Sequence, residues 1–231
     1  MAVPIKMQAA VAEIIQYAGD VYQITFIPGK KLPQFKAGQF LHLALDEYDP
    51  CDGLWPESRA FSIASSSKHD HITIVYRVKG SFTRRMKNEL SSGRNVWLKF
   101  PYGSFIVNTQ ETSHDIVLVA GGIGIAPFVP YLEEELEQPS GRRLLLVYGI
   151  RGEHCFLFKN LLQTCCQCLS KFELVLFNAQ VIDFVTLMNK AKLLNNPHYF
   201  ISGPQIMIKS LRDFLFSQGV NGNQIHTDDW N

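Results

Sequence analysis

Leu118-Val119-Ala120-Gly121-Gly122-Ile123-Gly124-Ile125-Ala126-Pro127 joins an unbroken apolar run to a cluster of glycines and then to a proline. The run reads as a strand buried on both faces, and the glycines as the tight turn leading from it into a helix. Glycines there let backbone N–H groups approach a pyrophosphate, with the helix N-terminus beside it. Pro127 suits a first helical turn. The spacing is not G-x-G-x-x-G, and a tight turn without any ligand would also select glycine, so the segment decides fold before ligand.

Downstream, apolar strand runs alternate with helical stretches: 116–120 then 127–137, 143–148 then 156–168, 172–177 then 185–194, and 199–202 then 205–218. This alternation predicts βαβ units and a parallel sheet covered on both faces. Upstream the pattern differs. Runs 9–15 and 21–27 flank the hairpin-like Ala18-Gly19-Asp20, and further strand-like runs cover 40–45, 71–78 and 95–100. Short strands at this spacing predict a small antiparallel barrel or sandwich. One helix signal intrudes, 83–90, directly after Gly80-Ser81. The polar stretch 107–114 marks the junction, giving domains 1–108 and 109–231.

A second candidate site lies in the first domain. In Arg59-Ala60-Phe61-Ser62-Ile63-Ala64-Ser65, small and hydroxyl side chains let a flat ring lie against the backbone, and Arg59 suits a phosphate. An ordinary edge strand with one surface arginine would read the same way. Gly80-Ser81-Phe82-Thr83 opens a short helix and is a further anion site or simply a capped helix; Arg84 and Arg85 add positive charge.

The bulk numbers exclude several classes. The chain has 231 residues, 46% of them hydrophobic, enough for two cored domains, and a net charge of +1 that argues against nucleic acid. Residues 1–108 hold thirteen Lys and Arg against nine Asp and Glu, and residues 109–231 hold nine against twelve. The basic first half suits phosphate-bearing ligands or an acidic partner, or is a solvated surface. The N-terminus lacks a signal-peptide pattern, and the apolar stretch 116–132 holds three glycines and two prolines, unlike a membrane span. A soluble cytoplasmic protein is expected. Cys165, Cys166 and Cys168 cluster without a fourth ligand, so neither a metal site nor a disulfide framework is expected, and the seven histidines need no catalytic role.

Eight segments in order resemble the ferredoxin–NADP reductase family of FAD-dependent NAD(P)H oxidoreductases. They are Phe35-Lys36-Ala37-Gly38-Gln39-Phe40, Arg59-Ala60-Phe61-Ser62, Gly80-Ser81-Phe82-Thr83, Pro101-Tyr102-Gly103, Gly121 to Pro127, Tyr148-Gly149, Ser202-Gly203-Pro204 and Asp228-Asp229-Trp230. The resemblance implies a six-stranded antiparallel FAD-binding β-barrel followed by a five-stranded parallel α/β domain that binds NAD(P). Position by position, it implies that Arg59 contacts the flavin phosphate, that Ala60, Phe61 and Ser62 line the ring with Ser62 near N5, and that Val75, Tyr76 and Val78 flank it. Gly80, Ser81 and Thr83 would bind the pyrophosphate. Gly121, Gly122, Gly124 and Pro127 would hold the nicotinamide dinucleotide, with Tyr148, Arg151, Gly203 and Pro204 beside it.

Ser62, Ser202, Asp228 and Trp230 are the implied catalytic set, Trp230 stacking on the flavin or serving as a C-terminal packing anchor. Two departures stand out: Ser202 occupies the place of a frequent cysteine, and Asp228 that of a glutamate. Arg151 can meet the extra phosphate of NADPH, but Phe177-Asn178-Ala179 offers no basic residue, which favours NADH. The implied activity carries electrons between NAD(P)H and a separate acceptor through bound FAD. That acceptor is a ferredoxin, another iron–sulfur protein or an oxygenase component. A reductase releasing free reduced flavin, and a nucleotide-sensing module without turnover, share the fold.

Overall fold

The computed structural model describes residues 3–51, 53–107 and 113–228. The chain divides into two compact units, Met1–Ile106 and Val107–Asn231.

In the first unit, β1 (Ile5–Tyr17), β2 (Val21–Pro28), β3 (Phe40–Ala44), β4 (Ser58–Ser62), β5 (Ile72–Arg77), α1 (Ser81–Glu89) and β6 (Asn95–Tyr102) follow in order. The strands form one antiparallel sheet in the order β4-β3-β6-β1-β2-β5. A bridge between Ile63 and Ile74 joins the two ends, and the Ala64 N–H donates to the Thr73 carbonyl at 2.8 Å, so the sheet closes into a six-stranded barrel. Alternation does the sorting: Leu41, Leu43, Ile72, Ile74, Leu98 and Phe100 are buried in one cluster. Helix α1 adds Phe82 and Met86 to that core. Arg85 pairs with Asp46 at 2.7 Å and Lys87 with Asp20 at 2.8 Å, tying the outer face of α1 to the strand connections.

The second unit runs β7 (Ile116–Gly121), a 3₁₀ turn (Gly122–Phe128), α2 (Val129–Glu137), β8 (Leu144–Ile150) and α3 (Lys159–Cys168). It continues with β9 (Phe172–Asn178), α4 (Phe184–Ala191), β10 (His198–Ser202), α5 (Gln205–Ser217) and β11 (Ile225–Thr227). Its parallel sheet has the order β11-β10-β7-β8-β9. Every residue of β7 is buried, as its apolar run requires. From β7 the chain proceeds outward on one side to β8 and returns on the other to β10, which makes the β7–β10 boundary a topological switch point.

One expectation needs correction. Pro127 does not open the α-helix: it lies buried within the 3₁₀ turn, and Pro130 takes the early position in α2. The narrower 3₁₀ winding accommodates the close approach of Gly124 to β10 described below. Strand β11 carries no alternation long enough to announce itself, and only its pairing with β10 reveals it.

Among the described residues no helix is long and apolar enough to cross a membrane, and no group of three His, Cys, Asp or Glu side chains could hold a metal ion. Cys165 is buried, which pushes its thiol up to about 12, while Cys166 and Cys168 are exposed.

Candidate functional site

Two sites form, one on each unit. In the barrel, β4 pairs with β3 so that Phe61 lies opposite Leu41 and Ser62 opposite Phe40. Phe61 packs edge-on against Tyr76, at 6.2 Å between ring centroids, and both belong to the core cluster. Tyr76 also stacks on Tyr22 at 5.3 Å, and burial pushes its phenol above the ordinary range. Little of either ring is exposed: Phe61, expected to line the flavin, is 9% exposed, and Tyr76, expected to flank it, 2%. Val75 is buried outside that cluster and Val78 is half-buried beside it. Ala60 and Ser62, on the alternate face of β4, are half-buried. Beside Ser62, Phe40 stacks on Tyr102 at 5.6 Å and His42 meets the edge region of Tyr102 at 5.1 Å. This aromatic group follows from strand register and had no local signal in the sequence.

Arg59 reaches from β4 to the first turn of α1, its guanidinium 5.2 Å from the centre of the Phe82 ring. It is exposed, donates to the Ser58 carbonyl and pairs with Glu57 at 2.8 Å. At the same helix start, the Thr83 hydroxyl oxygen accepts from the Lys79 and Gly80 N–H groups at 2.9 and 3.1 Å. Gly80 and Thr83 thus satisfy one another, while the first intrahelical bond, from the Arg84 N–H to the Gly80 carbonyl, leaves the N–H groups of Ser81, Phe82 and Thr83 without an intrahelical acceptor. Open space surrounds the place where a Cβ of Gly80 would stand. Arg85, expected to add positive charge here, is instead neutralised by Asp46 and Glu89. A guanidinium beside a helix N-terminus with an open approach is a donor set that fits a diphosphate.

In the second unit the ends of β7 and β10 lie side by side, Ala120 opposite Ser202, and their loops interlock. A Cβ on Gly124 would stand 2.3 Å from the Ser202 carbonyl oxygen, and one on Gly121 2.8 Å from the Met207 sulfur and from Pro204 Cδ. A Cβ on Gly203 would meet the Gly121 backbone at 3.0 Å. Three of the four glycines are therefore required by protein packing. Gly122 differs: it has φ +57 and nothing within 4 Å of its Cβ position, the open and backbone-accessible point of the turn. Tyr148 is buried and donates its hydroxyl to the Gly122 carbonyl at 3.1 Å, so it supports the turn from below.

Ser202 donates to Asp228 Oδ2 at 3.0 Å, and both side chains are buried. The Asp228 N–H donates to the Ile201 carbonyl at 2.9 Å, which fixes the carboxylate just beyond the end of β11. Pro204 caps α5, and Arg151 is exposed after β8. The structure brings Ser202, Gly203, Pro204, Gly121, Gly122, Gly124 and Asp228 to one end of the sheet. Trp230 lies outside the described residues.

Residues 6–127 match the FAD-binding domain family, and residues 118–213 match the oxidoreductase NAD-binding domain. The chain belongs to the ferredoxin-reductase-type family of FAD-binding oxidoreductases. Its relatives in that family include a flavohemoprotein of Rhizobium meliloti (strain 1021), 24% identical over 222 residues, covering 86% of this chain and 53% of the relative. The toluate 1,2-dioxygenase electron transfer component of Pseudomonas putida is 25% identical over 228 residues, covering 92% and 64%. The chain thus spans less than two thirds of the length of either.

Among solved structures of the same fold, the Amycolatopsis cytochrome P450 reductase GcoB superposes with a TM-score of 0.84 at 18% identity, covering 98% of this chain and 70% of that one. A ferredoxin NADP+ reductase from Neisseria gonorrhoeae with bound FAD and NADP gives 0.77 at 18%, covering 99% of both. FAD and a nicotinamide dinucleotide are the cofactors of the two matched domains.

Proposed function

We propose that this chain passes electrons from NAD(P)H, through FAD, to a separate redox acceptor in the cytoplasm. The observation that carries the reading is the interlocked turn at the β7–β10 switch point, where an open Gly122 stands in the same loop pair as the buried Ser202–Asp228 couple. Such a turn offers backbone donors to a dinucleotide, and the couple supplies a fixed hydroxyl beside the place where its nicotinamide would lie.

The residues divide the work. Residues 1–108 are the FAD-binding domain in this reading and residues 109–231 the NAD(P)-binding domain. On the barrel, Arg59 and the N–H groups of Ser81 and Phe82 hold the flavin diphosphate, with Gly80 leaving the approach clear and Thr83 bracing the helix start. Ala60 and Ser62 present the half-buried face of β4 to the ring, with Val75, Val78 and the exposed margin of Phe61 at its border. On the sheet, Gly122 receives the dinucleotide while Gly121, Gly124, Gly203 and Pro204 shape the turn and Tyr148 steadies it. Ser202 and Asp228 set the orientation of the nicotinamide. When bound, FAD supplies hydride acceptance and the onward release of electrons singly or in pairs. The protein's share is alignment and exclusion of water. Arg151 could meet the extra phosphate of NADPH, but the absence of a basic residue in Phe177-Asn178-Ala179 favours NADH. The acceptor is a redox protein of the class served by the dioxygenase electron transfer relative, which is named for that role.

The test is an oxygen-free absorbance spectrum of the purified protein before and after NADH. Flavin bands retained through gel filtration and bleached by NADH support the reading. A colourless protein that reduces added riboflavin instead makes flavin the released product, and flavin bands that NADH leaves untouched overturn the proposal.

A further inference from the structure

Three imidazoles stack along the β7–β10–β11 edge of the sheet, on residues that the reaction does not use. His114, just before β7, lies parallel to His198 at 3.8 Å between ring centroids and 21° between planes. His198 in turn approaches His226 of β11, at 5.3 Å and 23°, with His198 Nδ1 only 3.1 Å from His226 Nε2. Phe200 closes the row at 4.5 Å from His226. Ser113 Oγ lies 3.5 Å from His114 Nδ1. Two ring nitrogens 3.1 Å apart share a single proton comfortably, whereas a second proton leaves two donors facing each other.

Strand β11 is the part of the sheet least able to absorb that conflict. Among the described residues it is an edge strand of three, paired to β10 through Tyr199–Ile225, Phe200–His226 and Ile201–Thr227. Asp228 follows directly, with its N–H on the Ile201 carbonyl and its carboxylate on Ser202. Any displacement of β11 from β10 therefore moves the Asp228 carboxylate. Edges of this length open locally at low cost.

We propose that the His114–His198–His226 stack is an acid-sensitive latch: proton uptake below neutral pH drives β11 from β10 and carries Asp228 away from Ser202. The groups around the latch favour this direction. His226 is held below the ordinary histidine range first by burial and then by the like charge of His114. The nearest carboxylate along β7, Asp115, already accepts the N–H groups of Arg143 at 2.9 Å and Asn195 at 2.7 Å. On the turn before β11, Gln224 is neutral and donates to Asn196 and the Pro197 carbonyl.

A histidine whose pKa is lowered in the closed state binds its proton more readily once the strand opens. The closed form is thus fully favoured above about pH 6.5, the ordinary histidine value, and loses that advantage as pH falls toward the lowered value. The opening equilibrium rises about tenfold per pH unit for each proton taken up in that window.

The latch does not depend on the reaction proposed above; only its consequence for the site does. Hydrogen exchange of the full chain, with protection factors corrected for intrinsic rates, reads it without turnover. Between pH 7.5 and 5.5, protection at His226, Thr227 and Asp228 is expected to fall by tenfold or more while β8 stays protected. A His198→Gln/His226→Gln double variant is expected to show a flat profile. NADH affinity, measured by equilibrium titration, is expected to weaken in parallel in the wild type only. Should the double variant fail to fold, histidine titration of the wild type by NMR serves instead, with His226 expected below the ordinary value. Protection at β11 that is indifferent to pH in the wild type, a pH response that persists in the double variant, or a His226 that titrates normally each overturns the latch.

Discussion

Ser202 and Asp228, twenty-six residues apart, share a buried hydrogen bond of 3.0 Å at the end of the parallel sheet. Ser202 is 3% exposed and Asp228 6% exposed. A serine hydroxyl has one proton to give; donated to Asp228, it leaves its oxygen lone pairs directed elsewhere, and the side chain is held in one rotamer. The shorter aspartate is long enough because β11 and the Asp228–Ile201 backbone bond bring it in. Ser202→Ala and Asp228→Asn are expected to slow nicotinamide oxidation about 10- to 100-fold, matching the ~1.5–3 kcal/mol of a hydrogen bond to a charged group. Stopped-flow flavin reduction with saturating NADH checks this. Rates within twofold of wild type for both variants would remove the pair from the reaction.

The order of strands and helices was legible because the two periodicities differ: short alternating runs before residue 107, and continuous apolar runs such as Ile116–Gly121 after it. What the sequence could not carry was anything decided by packing between distant segments. Gly121, Gly122 and Gly124 look equivalent in the chain. Only the nearness of Ser202, Gly203 and Met207 separates the two that pack from the one that stays open. Thr83 and Gly80 looked like two ligand groups and prove to satisfy each other. The resemblance placed Ser202 and Asp228 at the site, but their hydrogen bond depends on β11, whose three residues give no periodic signal.

The glycines make opposite predictions under the same substitution. Gly124→Ala forces a Cβ to 2.3 Å from the Ser202 carbonyl, a backbone atom that cannot swing aside, so the fold is expected to lose about 3 kcal/mol or more. Gly122→Ala meets open space and costs about 1–2 kcal/mol for its left-handed φ of +57. It nevertheless places a methyl group where the dinucleotide is proposed to approach. Thermal melts should therefore rank Gly124→Ala well below Gly122→Ala, while NADH affinity falls at least tenfold in Gly122→Ala. The reverse ranking in the melts would mean that the interlocked loops are not packed as described.

A buried network braces the α2–β8 connection and should behave as a unit. Glu135 accepts from the Tyr131 hydroxyl at 2.8 Å and from the Ser140 N–H and hydroxyl at 3.0 Å each, with Arg142 at 3.8 Å. Burial and the neighbouring Glu135 charge push the Tyr131 phenol well above its usual range. Arg142→Leu leaves that carboxylate buried without its cation, and about 3–5 kcal/mol of stability is expected to be lost. Adding Glu135→Gln should return part of it. Urea denaturation of the single and double variants measures the coupling, and strictly additive losses would show that the two charges do not act together.

Arg59 carries the last prediction, because its partner is weak enough to be exchanged. Both Arg59 and Glu57 are 51% exposed in their 2.8 Å pair, the kind of surface contact worth at most about 1 kcal/mol. The same guanidinium already lies against Phe82 at the start of α1, so a phosphate arriving at the Ser81 and Phe82 N–H groups would find it within a side-chain rotation. Arg59→Gln is expected to weaken FAD binding about 10- to 100-fold, the range for losing a charge-assisted bond, with no measurable loss of fold stability. Glu57→Gln removes the competitor and should tighten FAD binding about two- to fivefold at low salt, the gain shrinking as ionic strength rises. Fluorescence titration of apo-protein with FAD separates these outcomes. Equal affinities for Arg59→Gln and wild type would show that the diphosphate is held somewhere other than the α1 N-terminus.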